Sequence, residues 1–232
     1  MRAGRPRRGA AVRPGPAPAG PVAAVRTVAA FDFDGTLSSR DNFLRFVRLT
    51  AGTATTARAL AAAVPAALAS RRDPTQRDVA KAVVLRATMR GRSAAAVRDL
   101  GARFARTVVA DHLHPEIAGR LEEHRRAGHE LVIVSASLTC YLEPAAAGLG
   151  VPTVLATDLA VGPDGRLTGE LAVPNVRGPE KATRLDAWLA GAPARVWAYG
   201  DSTGDRELLA RADHPCLVDR SGRLPRDAPP VR

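Results

Sequence analysis

Six residues of this chain have types and spacings that could do chemistry together. Asp32 and Asp34 stand two residues apart where the apolar run Thr27-Val-Ala-Ala-Phe31 empties into Gly35-Thr36. Ser135 directly follows a second apolar run, Leu131-Val-Ile-Val134, and Lys181 stands at the start of a helical pattern over Pro179–Leu189. Asp201 and Asp205 follow a third run, Arg195–Tyr199, across Gly200. Two carboxylates at i and i+2 repel each other unless a cation joins them, and hard oxygen ligands with few protein groups favour Mg²⁺. A lysine near a helix N-terminus runs against the macrodipole, which prefers acids there. A bound anion would account for it, and a serine ahead of a helix is likewise placed for one. An anion, Mg²⁺ and a carboxylate nucleophile together describe phosphoryl transfer through an aspartyl-phosphate.

Those residues need a frame that gathers strand ends. Each apolar run of four to five residues reads as a buried strand, and each is followed by a Gly turn or a helical pattern. After Pro115 the helices Glu116–Ala127, Leu138–Ala147, Pro179–Leu189 and Asp205–Ala212 alternate with the strands Leu131–Val134, Thr153–Leu155, Arg195–Tyr199 and Cys216–Val218. Such alternation predicts an α/β fold with a doubly wound parallel sheet, whose ligand sits beyond the carboxyl ends of the strands. Pro163-Asp-Gly165 predicts a hairpin turn between Leu159–Val161 and Leu167–Leu171. Between Arg40 and Asp111 the pattern is Ala/Leu/Val/Arg helices with no strand, too long for a βα loop. The predicted organisation is therefore a catalytic core over residues 27–39 and 112–219. A helical cap over 40–111 is inserted after the first strand, with a basic tail at 1–26 and a C-terminal tail at 220–232.

The 232 residues are 46% hydrophobic and 25% charged, which suits a globular body. Two cysteines, Cys140 and Cys216, exclude a disulfide scaffold and a four-cysteine metal site, and suit a reducing compartment. No uncharged apolar run is long enough to span a membrane. The net charge of +11 is unevenly placed. Residues 1–26 hold six Arg and no acid, and residues 40–115 hold 14 basic residues against five acids, whereas residues 116–232 hold 14 against 16. The tail lacks hydrophobic period and reads as a solvated extension, not a signal peptide. A chain of this kind is expected in the cytoplasm, or peripherally at a membrane.

Four segments, in order, resemble the motifs of the haloacid dehalogenase-like hydrolases: Phe31-Asp-Phe-Asp-Gly-Thr-Leu37, Val132-Ile-Val-Ser135, Gly178-Pro-Glu-Lys181 and Tyr199-Gly-Asp-Ser-Thr-Gly-Asp205. The helical insertion between the first two is similar to the cap of subfamily IB, which includes phosphoserine phosphatase. The resemblance implies a Rossmann-like core and an Mg²⁺-dependent phosphomonoesterase. It implies Asp32 as nucleophile and metal ligand, Asp34 as general acid/base with its backbone carbonyl on Mg²⁺, Ser135 and Lys181 on the phosphoryl oxygens, and Asp201 on the metal, with Asp205 ligating it or orienting its water. An acid at position 34 favours a phosphatase over a dehalogenase, because an alkoxide leaving group needs a proton and a halide does not. The implied substrate is a small phosphorylated molecule or a lipid phosphate.

Within that family the substrate separates two readings. Asp41, nine residues after Asp32, stands where phosphoserine phosphatases carry a Glu that reads the substrate's amino group. Gly204 stands where they carry a substrate-contacting Asn, and Ser135-Ala-Ser137 replaces their Ser-Gly-Gly. A phosphoserine phosphatase proper and a phosphatidylglycerophosphatase-like lipid phosphatase are the alternatives. A phosphotransferase would keep the same first motif. In another class stands a non-catalytic protein that keeps the fold and binds nucleic acid or membrane through its basic cap, and nucleic acid is the less expected partner. A calcium loop starting at Asp32 fails, since its twelfth position is Phe43 instead of Glu. An Asp-x-Asp glycosyltransferase leaves Lys181 and Gly200–Asp205 without a role. Ser137 competes with Ser135 for the anion, and Ser135 is preferred as the residue that directly follows the strand. The five histidines are expected at the surface or in caps.

Overall fold

The structure is a computed structural model and describes residues 25–231. Five strands form one parallel sheet: β1 (Arg26–Phe31), β2 (Glu130–Leu138), β3 (Thr153–Thr157), β6 (Ala194–Gly200) and β7 (His214–Leu217), in the order β3-β2-β1-β6-β7. The strands alternate between two apolar layers because successive side chains point to opposite faces. Val28, Ala30, Val132, Val134, Val196 and Ala198 pack with Leu185, Leu189 and Leu208 of helices α7 (Pro179–Leu189) and α8 (Arg206–Arg211). Ala29, Phe31, Leu131, Ile133, Trp197 and Tyr199 face the other way, towards Ile117 and Leu121 of α5 (Pro115–Arg126) and Tyr141 and Leu142 of α6 (Thr139–Gly148). Both faces are covered, as a doubly wound sheet requires. The chain reverses direction across the sheet between β1 and β6, and Asp32 and Asp201 follow those two strands.

Four helices follow β1: α1 (Asn42–Ala51), α2 (Thr53–Ala69), α3 (Gln76–Met89) and α4 (Ala94–Asp111). The Asp41 carboxylate caps α1 on the Leu44 N–H, and the Ser93 hydroxyl caps α4 on the Ala96 N–H. Where the chain leaves and re-enters the core it runs side by side with itself: Ser39 N–H donates to the His112 carbonyl and His114 N–H to the Leu37 carbonyl. Gly101 lets α4 lie directly against α6, since a Cβ there would stand 2.0 Å from the Cys140 carbonyl oxygen.

The hairpin of β4 (Leu159–Val161) and β5 (Leu167–Leu171) does not join the main sheet. It grips the α3–α4 turn through Gly91 N–H to Leu167 O, Leu167 N–H to Arg92 O and Ala94 N–H to Gly165 O. Arg86 of α3 also pairs with Glu170 of β5. The cap is thereby tied to the core at its far end as well as at its root.

Several elements differ from the sequence reading. Arg26, assigned to the tail, is the first residue of β1 and pairs with Glu130 at 2.7 Å. The rest of that tail, up to residue 24, lies outside the described residues. The second strand does not stop at Ser135 but runs to Leu138, with a register shift between Ser135 and Leu138. The segment after Asp219 packs along α5: Leu224 N–H donates to Glu116 Oε1, Arg120 donates to the Pro229 carbonyl, and Leu224 and Ala228 join the core. His124, expected near the surface, is fully buried between the sheet and α5. Its Nε2 meets the Tyr199 hydroxyl at 2.8 Å and its Nδ1 meets His129 Nδ1 at 2.7 Å. Partners on both ring nitrogens are what allow an imidazole in the core. Among the described residues no helix is long and apolar enough to cross a membrane.

Candidate active site

The carboxyl ends of β1, β2 and β6 and the start of α7 meet at one crevice. Asp32 is almost wholly buried at the end of β1, and its N–H still donates to the Tyr199 carbonyl, so the sheet itself fixes its backbone. Lys181, in the first turn of α7 and equally buried, donates to Asp32 Oδ1 at 2.5 Å and to Asp205 Oδ1 at 2.5 Å. Asp205 is held on its other oxygen by Ser202, whose N–H and hydroxyl reach Oδ2 at 3.0 and 2.8 Å. That capping box closes the 3₁₀ turn Thr203–Asp205 and leaves Asp205 one orientation.

Asp201 stands between these groups and solvent. One carboxylate oxygen from each of Asp32, Asp201 and Asp205 lies within 4.8 Å of the others. Thr36 spans the gap, with its hydroxyl 3.3 Å from Asp201 Oδ1 and 3.4 Å from Asp32 Oδ2. Gly35 makes the approach possible: its φ is +85°, and a Cβ there would fall 2.4 Å from Asp201 Oδ2. A hard divalent cation fits this donor set: three carboxylates, two directly after strands and one held in a capped 3₁₀ turn.

Asp34 belongs to a different neighbourhood. Its Oδ1 accepts from the Asn42 side-chain amide at 2.6 Å and its Oδ2 from the Ser137 hydroxyl at 2.8 Å. The side chain therefore stands outside the three-carboxylate cluster. Burial pushes the Asp34 carboxyl up to about 6, partly offset by those two hydrogen bonds. Burial also raises Asp32, to about 7, against the pull of the Lys181 ammonium. Asp201 is raised by burial and by the charge of Asp205. Each of these three carboxyls is thereby harder to ionise than a free one.

Ser135 is buried beside them, and its Oγ accepts the Ser137 N–H at 3.2 Å. Ser135 and Ser137 both line the cavity that Lys181 lines, and the hydroxyl of Ser137 donates to Asp34.

The crevice opens into a cavity of about 810 Å³ roofed by the cap. Leu44, Leu60, Ala63 and Ala67 give it an apolar wall, and Asp41, Arg77 and Lys81 add charges. Sequence reasoning named Asp41, which lines the cavity while its carboxylate caps α1. It missed Asn42, Lys81 and Asn175. Lys81 donates to the Ala136 carbonyl at 2.5 Å and to Asn175 Oδ1 at 2.6 Å, and burial lowers its ammonium to about 8. A lysine within a helical surface pattern carries no local sign of such a contact. Asn42 could have been suspected, as a polar residue just inside the first turn of a helix that starts eight residues after Asp34.

Known proteins resemble this chain along most of its length. The family model for the haloacid dehalogenase-like hydrolases matches residues 29–210. Protein CicA of Caulobacter vibrioides is 35% identical over 184 residues, covering 79% of this chain and 82% of that protein. A histidinol-phosphatase of Neisseria meningitidis is 29% identical over 138 residues, covering 55% of this chain and 62% of that protein. Among solved structures, phosphoserine phosphatase in its apo form superposes with a TM-score of 0.58 at 15% identity, over 84% of this chain and 86% of that one. That likeness is one of fold. Matched along most of its length by the family and by a close relative, the chain belongs to the haloacid dehalogenase-like hydrolases.

Proposed function

We propose that the protein is an Mg²⁺-dependent phosphomonoester hydrolase that works through an aspartyl-phosphate on Asp32. The observation that carries this reading is the pair of neighbouring carboxylates with different surroundings. Asp32 faces a lysine and two further carboxylates, while Asp34 is held by neutral donors with its pKa near 6. Two acids whose environments differ in this way suit nucleophile and proton donor respectively.

In the first step Asp32 attacks phosphorus, the Asp32 O–P bond forms and the ester P–O bond breaks. Asp34 gives its proton to the departing alkoxide. In the second step Asp34 takes a proton from water as that water attacks the same phosphorus, freeing Asp32 and releasing phosphate. Lys181 and Ser135 hold the phosphoryl oxygens, and Asn42 and Ser137 keep Asp34 in line with the leaving group. Asp32, Asp201, Asp205 and the backbone carbonyl of Asp34 would hold Mg²⁺, which neutralises charge on the phosphoryl oxygens when bound.

Similarity to a histidinol-phosphatase, and in fold to a phosphoserine phosphatase, supports a phosphatase of this kind. Their substrates are not carried over, because fold does not transmit specificity. The reading is tested by hydrolysis of p-nitrophenyl phosphate with Mg²⁺ and after EDTA treatment, for the native protein and for Asp32→Asn. Turnover is expected only with the metal, and Asp32→Asn should lose on the order of 10³-fold or more. Full activity in Asp32→Asn would remove the covalent mechanism.

A further inference from the structure

Six of the nine large apolar residues that stand exposed among the described ones lie on α1, α2 and α3: Leu44, Leu49, Leu60, Val64, Leu68 and Val79. Leu60, Val64 and Leu68 recur every four residues, so they form one stripe along α2. Val64 and Leu68 are 48% and 56% exposed. Over its 17 residues α2 carries a single charge, Arg58, a composition unsuited to a helix face that meets only water.

The surroundings of the stripe are basic. Arg48, Arg58, Arg71, Arg72 and Arg77 are exposed on the same three helices and their connections, and none of them makes an ion pair among the described residues. Residues 41–81 hold three acids, Asp41, Asp73 and Asp78, against seven basic residues, so this side of the protein carries net positive charge. Leu44 and Leu60 also line the mouth of the cavity that ends at Asp32. The first 24 residues of the chain, with five Arg and no acid, would bring only like charge to this face.

We propose that the α2 stripe and its arginine rim form a docking surface for an anionic phospholipid bilayer, seating the mouth of the cavity at the headgroup layer. An apolar strip lying at the acyl boundary with cations around it is how interfacial helices bind, and each basic side chain near a negative surface adds to the attraction. A second copy of the chain would bring the same arginines face to face, which like-charge repulsion opposes. The surface stands independently of the phosphatase reading, because binding to a bilayer requires no turnover.

The test is co-sedimentation of the full chain with vesicles of phosphatidylcholine alone and of phosphatidylcholine with about one-third phosphatidylglycerol, a fraction chosen to give an anionic surface. The native protein should pellet with the anionic vesicles and release as salt rises. Val64→Glu/Leu68→Glu lies outside the cavity and should weaken that binding on the order of tenfold or more, since it puts charge where apolar area would be buried. Hydrolysis of p-nitrophenyl phosphate and the melting temperature should stay unchanged in this variant. No pelleting of the native protein on anionic vesicles overturns the proposal. Equal pelleting of the double variant also overturns it and hands the binding to the basic tail. A native dimer that Val64→Glu/Leu68→Glu converts to a monomer overturns it in favour of a second copy.

Discussion

Lys81, on cap helix α3, donates to the backbone carbonyl of Ala136, and Ala136 is the residue between the two serines of the crevice. The same ammonium donates to Asn175 Oδ1, and the Asn175 amide donates back to Asp78 one turn earlier on α3. Thr157, at the end of β3, also reaches Asn175 Oδ1, at 3.0 Å. Helix α3, the ends of β2 and β3 and the segment leading into Lys181 are thus joined in one network beside Ser135.

Replacing Lys81 by Met keeps the apolar stem and removes the donor. The Ala136 carbonyl loses its side-chain donor and Asn175 Oδ1 keeps only Thr157, which costs about 1–3 kcal/mol. For a chain of this size that is a fall in melting temperature of about 2–4 °C per kcal/mol. The serines are then less firmly placed, and kcat/KM for p-nitrophenyl phosphate should fall by about tenfold or more, as misplacement near a reacting centre does. Calorimetry and steady-state kinetics on the one variant check both. An unchanged melting temperature with unchanged kcat/KM would show that α3 is held without Lys81.

Much of this arrangement was legible from the residues, and the reason is local. Asp32, Ser135 and Asp201 follow short apolar runs of strand length that alternate with helical patterns, and strand ends in a parallel sheet converge. Lys181 betrayed itself by standing at the wrong end of a helix. What escaped notice depends on chain segments far apart in sequence. Lys81 lies 55 residues from Ala136 and 94 from Asn175, so no local pattern announces it. His124 sits in a helix rich in charge, and only the folded sheet supplies the Tyr199 hydroxyl that makes its burial tolerable.

Asp34→Asn keeps the contacts to Asn42 and Ser137 in shape but removes the proton it would give. Turnover of alkyl phosphates, which leave as strongly basic alkoxides, should fall by about 10²-fold or more. p-Nitrophenyl phosphate, whose leaving group needs no proton, should be far less affected. Measuring kcat for both on the variant checks the role, and equal losses would assign Asp34 to positioning alone.

Gly35→Ala tests the close approach of the first and fourth motifs. The new Cβ would meet the Asp201 carboxylate, and φ of +85° is strained for any other residue. Asp201 must move away from Asp32 and Asp205, so the Mg²⁺ concentration for half-maximal activity should rise by about tenfold or more, on the logic that a shifted carboxylate is a lost ligand. Activity titrated against Mg²⁺ gives the answer. A native titration curve in Gly35→Ala would show that Asp201 has no part in holding the metal.

His124 makes the stability of the fold depend on pH in a way that can be separated from the active site. Burial, reinforced by the neighbouring His129 and Arg120, lowers its pKa to about 3, against about 6.5 for an unfolded chain. Between those values the unfolded state carries a proton on this ring that the folded state refuses. Its contribution to stability is therefore complete above about pH 6.5 and is lost as pH falls towards 3, with a slope of at most about 1.4 kcal/mol per pH unit. Asp32 and Asp34, raised by burial, act with the opposite sign over part of the same range. The difference between two proteins isolates the histidine. His124→Gln still offers polar atoms towards Tyr199 and His129 but cannot be protonated. Urea unfolding of both proteins at pH 4.5, 5.5, 6.5 and 7.5, values chosen to bracket the histidine range, should show His124→Gln less stable at neutral pH and closing on the native protein as pH falls. Parallel curves at a constant gap would mean that His124 accepts its proton in the folded core, through a rearrangement of the His129 and Tyr199 contacts.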